Sequence, residues 1–191
     1  MAIYPVGGCE EINPEVEEVI QFNKKFNYFF EDLIVVADHD DAEADTRISE
    51  LGCVIGKLLG QDDISIEAGK IKAVELEDPY KEMQTMKVLC MFIPVQGDGA
   101  LETFVLQMFS QVDEENSKVA NVSGAFVEGI RSKKYLTRRR EKTKAKLSVA
   151  LSVFSPDRTF TTINEFLREI DWNRYKEFNK TFSVLNQLVE E

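Results

Sequence analysis

Hydrophobic positions along this 191-residue chain form short apolar runs alternating with helical periodicity in the first half, and follow a helical period throughout after residue 114. Short β-branched runs are typical of buried strands, whereas apolar residues spaced three and four apart are typical of amphipathic helices. The apolar runs predict strands at residues 2–6, 33–37, 71–76 and 86–95. The helical spacing predicts one helix from Pro14, a second that ends at Gly60, and a third from about residue 100.

This order of elements predicts an α/β fold. Strands that alternate with helices at this spacing are typical of a mainly parallel, Rossmann-like sheet flanked by helices. No linker rich in Gly, Ser or Pro divides the chain. We therefore expect one domain, with an α/β core over residues 1–113 and a helical extension over residues 114–191 that packs on the same core.

Composition narrows the class of protein. Hydrophobic residues make up 43% and charged residues 30% of the chain, which is typical of a folded globular domain. No apolar run approaches the ~18–20 residues of a membrane span, and the first residues do not resemble a signal peptide. Cys9, Cys53 and Cys90 do not form a CxxC pair, so neither a zinc site nor a disulfide framework is indicated. We expect a cytoplasmic protein without membrane contact.

The charge is unevenly distributed. The net charge is -11, yet residues 131–146, the basic segment, contain nine Lys or Arg and one acid, Glu141. Such a segment fits a basic helix packed beside acidic neighbours, and it equally fits a surface that faces phosphates. In the second interpretation, the cations that bind a DNA or RNA backbone are Arg138, Arg139, Arg140 and Lys142.

An acidic cluster follows the predicted strand at residues 33–37. Asp38, Asp40 and Asp41 stand at its carboxyl end, where parallel sheets place their ligands. Carboxylates this close repel one another, and Mg²⁺ or Mn²⁺ with oxygen ligands relieves that repulsion. An acidic loop that caps the following helix is the alternative.

Two further residues bear on this cluster. Glu102 follows the strand at 86–95 and opens the next helix, so it faces the same crevice if the two strands are neighbours. An acid in the first turn that complements the helix dipole explains Glu102 equally well. His39 is the one histidine of the chain, and no nucleophile is placed beside it, so we expect it to be a bystander.

The motifs in this order resemble those of the TOPRIM family. A strand ends in Gly7-Gly8, and three stretches follow: ADHDD at 37–41, FIPVQGDGALETF at 92–104 and KAKLSVALSVF at 144–154. They are similar to motifs of small bacterial TOPRIM-like proteins and of the OLD nucleases, over about residues 3–166. TOPRIM is also the Mg²⁺-binding fold of primases and of type IA and type II topoisomerases.

The resemblance implies a metal-dependent activity on nucleic-acid phosphodiesters. It implies that Asp38, Asp40 and Glu102 hold Mg²⁺ or Mn²⁺, with Asp41 beside them. Lys144 matches a lysine that stabilises the scissile phosphate. A cation there offsets the charge that develops on the phosphoryl oxygens.

The chain departs from the family pattern at its start. The match begins with the family's second strand, so we expect the first strand and its general acid–base glutamate to be missing. Either the sequence is truncated, the gene start was placed too late, or the protein has lost cleavage and kept binding. An unpaired sheet edge would result, which a homodimer or a partner protein could cover. Two alternatives remain: a catalytically inactive interaction module, and a response-regulator receiver, which lacks support because Gln96 stands where a lysine is needed.

Overall fold

The computed structural model describes residues 11–27, 30–39, 44–61, 64–77, 80, 82–94, 99–131, 134–158 and 163–188. The predicted strand at residues 2–6 lies outside these ranges, as do Asp40 and Asp41. The described residues belong to two compact units, one within residues 1–95 and 184–191, the other within residues 96–183. The predicted division of the chain at residue 113 stays a prediction.

Besides most of a 3-10 turn at Ser183–Leu188, the described residues of the first unit form two α-helices and a three-stranded sheet. In chain order these elements are α1 (Ile12–Lys25), β1 (Asp32–Asp38), α2 (Ala44–Leu59), β2 (Ile71–Glu77) and β3 (Met83–Ile93). The fold class is therefore α/β. The strand order is β1-β3-β2.

The sheet is mixed rather than parallel throughout. β1 runs parallel to β3, with Asp38 opposite Ile93, whereas β2 runs antiparallel to β3, with Glu77 opposite Met83. Residues 78–82 alone connect β2 to β3. A parallel connection needs a crossover of about a dozen residues or more, so this short link can only return the chain in the opposite direction. The predicted mainly parallel sheet is thus not confirmed.

α1 and α2 cover one face of this sheet. Alternate side chains of β3 (Val88, Cys90 and Phe92) pack in one cluster with Ile20 of α1 and Ile55 of α2. The apolar spacing of α2 predicts an inward face at Ile48, Leu51, Ile55, Leu58 and Leu59. All of these are buried except Leu58, which is partly buried. Gly60 ends α2 with a positive φ of 74°, a conformation that glycine adopts without steric cost.

The regular structure described in the second unit is helical. It consists of α3 (Leu101–Ser110), α4 (Glu114–Gly129), α5 (Arg139–Phe154), α6 (Ile163–Glu169) and α7 (Lys176–Phe182), with 3-10 turns at Pro156–Arg158 and Trp172–Arg174. α3, α4 and α5 pack on one another through buried side chains. These include Phe104, Val105 and Met108 of α3, Val127 of α4, and Leu147 and Ala150 of α5.

The basic segment is not one continuous helix, which corrects the prediction from its periodicity. α4 ends at Gly129 and α5 begins at Arg139, and Leu136 between them has a positive φ of 58°. A residue with a positive φ cannot continue a right-handed helix, because the helix requires a φ of about −60° at every position. Only the part of the basic segment from Arg139 onward is helical among the residues that are described.

No helix in the described ranges is both long and apolar enough to cross a membrane.

Candidate functional site

The start of α5 presents a run of exposed cations. Arg138, Arg139 and Arg140 are all exposed. The backbone N–H of Arg138 donates to the side chain of Glu141 at 2.9 Å, which fixes the first turn of the helix. This hydrogen bond, as the largest cause, holds the pKa of Glu141 below its usual range. Glu141, the one acid of the basic segment, therefore stabilises the start of α5, and the three exposed arginines belong to this hydrogen-bonded first turn.

Farther along α5, two lysines are held by one acid of α4. Lys146 Nζ lies 2.6 Å and Lys142 Nζ lies 3.3 Å from the carboxylate of Glu128. Hydrogen bonds from Lys146 and then from Lys142 lower the pKa of Glu128. Lys142, which the sequence assigned to the nucleic-acid backbone together with the three arginines, is thus partly neutralised by Glu128.

Lys144 and Glu102 are two predicted site residues that the fold brings together. Glu102 lies in the first turn of α3, and its carboxylate is 3.8 Å from the ammonium of Lys144 on α5. The Glu102 side chain is 18% exposed and the Lys144 side chain is 48% exposed. The structure thus places the Lys144 ammonium beside a largely buried carboxylate, at a position that solvent still reaches.

Asp38 ends β1, as the sequence predicts. The next residue, His39, donates its backbone N–H to the carbonyl of Ile93 at 2.9 Å. Its ring Nδ1 lies 3.1 Å from the carbonyl oxygen of Pro94, and a carbonyl only accepts, so Nδ1 carries the proton. These bonds anchor His39 to the end of β3, and the bystander interpretation stays a prediction.

The structure describes two of the four predicted metal ligands, Asp38 and Glu102. Asp40 and Asp41 lie outside the described residues, while Asp38 belongs to the first unit and Glu102 to the second. Within the described ranges, no group of three His, Cys, Asp or Glu side chains could hold a metal ion. The metal set stays a prediction.

An aromatic cavity in the second unit was not predicted. It has a volume of about 320 Å³. Its walls include Phe109 of α3, Phe154 of α5, Phe166 of α6 and Tyr175, which precedes α7. Nothing in the spacing of these residues along the sequence shows that four separate elements converge. The one available signal is the high phenylalanine content, 13 residues against a single Trp.

Comparisons with known proteins find no match: no family model, no curated protein and no solved structure matches the chain.

Proposed function

We propose that this chain binds the phosphate backbone of a nucleic acid through the start of α5 and processes phosphodiester bonds with a divalent metal ion. The observation that carries the proposal is the run Arg138 to Arg140, exposed on an ordered helix start. Arginine forks match phosphate oxygens in geometry and remain charged at every accessible pH.

The difference in net charge between the two units supports the same proposal. Residues 96–183 contain 15 Lys and Arg against 12 Asp and Glu, whereas the rest of the chain contains 8 against 22. The net charge of the second unit is therefore +3 and that of the first is -14, although the whole chain is acidic. A polyanion would be attracted to the second unit and repelled by the first.

The catalytic part of the proposal assigns separate roles to the remaining site residues. Lys144 would stabilise charge on a phosphoryl oxygen, and its neighbour Glu102 would hold its ammonium group in place. Mg²⁺ or Mn²⁺ would bind at Asp38 and Asp40 with Asp41 beside them, and Glu102 stays a predicted ligand. The TOPRIM resemblance supports these roles.

The test is a binding titration with labelled DNA and RNA oligonucleotides over a range of salt concentrations. Arg138→Glu, Arg139→Glu and Arg140→Glu together should weaken binding by about tenfold or more and flatten the plot of log affinity against log salt by about 2, since each lost phosphate contact contributes ~0.7 on a single strand. The matched control is Lys57→Glu, Lys70→Glu and Lys72→Glu, three exposed lysines of the first unit. It makes the same change in net charge, and its affinity should stay close to that of the wild type. Equal affinity of the arginine variant and the wild type would contradict the proposal.

A protein-binding interaction module without catalysis is the second candidate. The observation that favours it is that Lys142, Lys144 and Lys146 each face a glutamate, so most of the charge on α5 beyond its first turn is compensated within the unit. This candidate predicts only weak binding of every oligonucleotide, lowered no more by the arginine variant than by the lysine control, so the same titration separates the two.

A further inference from the structure

Helix α4 carries apolar side chains on its exposed side as well as on its buried side. Ala120 and Val127 are among its buried residues. Val122 and Phe126 are 60% and 59% exposed, and Ile130, the residue after the helix, is 39% exposed. Residues four apart are neighbours on one face of a helix, so these three form a single exposed row, the α4 stripe.

The α4 stripe is more than the scattered apolar exposure that folded proteins normally show. A helix that packs on one side only has a polar outer face, and a contiguous apolar patch is typical of an interaction surface. The neighbouring helix α5 shows the ordinary case, since Val153 is its single large apolar residue that is exposed. Beside the stripe, Gly129 has open space where a side chain would stand.

The two ends of α4 carry opposite charges. Glu114 and Glu115 are exposed at its start, and Arg131 is exposed just beyond its end. None of these three forms an ion pair with another residue in the described part of the chain. A second α4 laid parallel would set like charges side by side, whereas an antiparallel one sets the acidic start against the basic end at both ends of the pair.

We propose that α4 pairs antiparallel with α4 of a second copy of this chain, which joins two copies in a twofold-symmetric homodimer. An axis midway between Val122 and Phe126 brings Phe126 of one protomer against Val122 of its partner, and the same contact forms again by symmetry. The exposed and small Ala125 beside them leaves room for the Phe126 ring.

The same axis brings the charged ends together. Arg131 then stands opposite position 117 of the other protomer, about one helical turn from Glu114, which an arginine side chain can span. Few apolar side chains take part, so we expect a weak, concentration-dependent dimer. This pairing uses neither edge of the sheet and does not require nucleic-acid binding.

The experiment is sedimentation velocity of the full chain over concentrations from micromolar to millimolar, which should show a reversible monomer–dimer equilibrium. Val122→Glu should raise the dissociation constant of the dimer by about tenfold or more, because the apolar contact is lost in both symmetric copies. Val153→Glu on α5 is the matched control, since Val153 is 57% exposed and the substitution is the same. It should keep the dissociation constant of the wild type.

Charge reversal tests the direction of the pair. Glu114→Lys with Glu115→Lys should weaken the dimer several-fold at low salt, because both ends then carry like charges. Adding Arg131→Glu and Lys134→Glu to that variant should restore the dimer. A parallel pair faces like charges before and after each change, so indifference to both variants would overturn the antiparallel arrangement.

Three other results would overturn the pairing itself. The first is a monomer at every concentration. The second is a dimer that Val122→Glu leaves unchanged, which must use another surface such as the edge of the sheet. The third is a monomer whose melting temperature falls with Val122→Glu but not with Val153→Glu, since the α4 stripe would then pack within its own chain.

Discussion

Asn23 of α1 is a polar residue in an apolar stripe whose side chain makes hydrogen bonds with the backbone that leads into β1. It interrupts the apolar stripe of α1, yet its side chain is almost fully buried. It donates to the carbonyl of Phe30 at 3.0 Å and accepts from the N–H of Phe30 at 2.8 Å. One amide thus satisfies both peptide groups of the residue that leads into β1. The sequence cannot reveal this role, since the partner is a backbone group that any residue type would present.

Replacing Asn23 with Ala should therefore lower the free energy of unfolding by about 1–3 kcal/mol, the cost of leaving buried backbone groups unpaired. Urea denaturation followed by circular dichroism measures this change. Gln21→Ala, an exposed position on the same helix, is the control and should change stability by less than about 0.5 kcal/mol. Equal stability of the Asn23 variant and the wild type would show that water replaces both hydrogen bonds.

Two cysteines of the first unit should differ sharply in reactivity. Cys90 is buried in the centre of β3, and burial raises its pKa to about 12, so it is protonated at neutral pH. Cys53 on α2 is exposed. Since the thiolate is the reacting species, iodoacetamide at pH 8 should label Cys53 in the native protein and Cys90 only after denaturation. Peptide mapping by mass spectrometry distinguishes the sites, and rapid native labelling of Cys90 would contradict the burial of β3.

At the level of elements, the hydrophobic pattern predicts position better than direction or continuity. The run at 33–37 becomes β1, and the apolar face of α2 is buried as expected. The direction of β2 is not encoded in its alternation, because a strand buries the same side chains whichever way it runs. The break between α4 and α5 is not predicted because residues 131–140 are mostly charged, so the hydrophobic pattern offers few positions there at which the end of a helical period could be recognised.

Glu128 links two elements, since it binds Lys142 and Lys146 of α5 from α4. Because the pKa of Glu128 is lowered in the folded protein, its pairing with the two lysines stabilises the fold at pH values above about 4.5, the usual pKa of the carboxyl group. This stabilisation is lost as the pH falls through the lower, folded-state value. Glu128→Gln should reduce this acid-dependent loss of stability, measured as melting temperature against pH.

The same substitution tests the phosphate surface. Glu128→Gln removes the acid that competes for both lysines, so binding of a single strand should tighten. The salt dependence should steepen by up to about 1.4, twice ~0.7 per phosphate contact. Glu115→Gln, an exposed acid at the start of the same helix, makes the same change in charge and is the control. An unchanged salt slope would mean that these lysines serve the packing of α4 on α5 alone.

For the molecule as a whole, the candidate site could be predicted residue by residue but not as an assembly. The sequence identifies the end of β1, the acid that opens α3 and the cations of α5 because each lies next to a strong local signal. Proximity between distant segments, such as Glu102 beside Lys144, is fixed by the packing of α3 on α5. The aromatic cavity belongs to the same category, since it exists only where four elements meet.

Metal binding is the property of the whole chain on which the catalytic proposal depends. If Mg²⁺ or Mn²⁺ binds the folded chain alone, a hundredfold excess over the dissociation constant adds about 2.7 kcal/mol to stability. Thermal unfolding with and without millimolar metal should show this gain in the wild type, and Asp38→Asn with Asp40→Asn should abolish it. Glu31→Gln with Asp32→Asn neutralises two exposed acids at the opposite end of β1, and it should retain the full shift. If the wild type shows no shift, or both double variants lose it equally, the acidic cluster is no metal site. The basic start of α5 would then belong to a protein that binds nucleic acid without cleaving it.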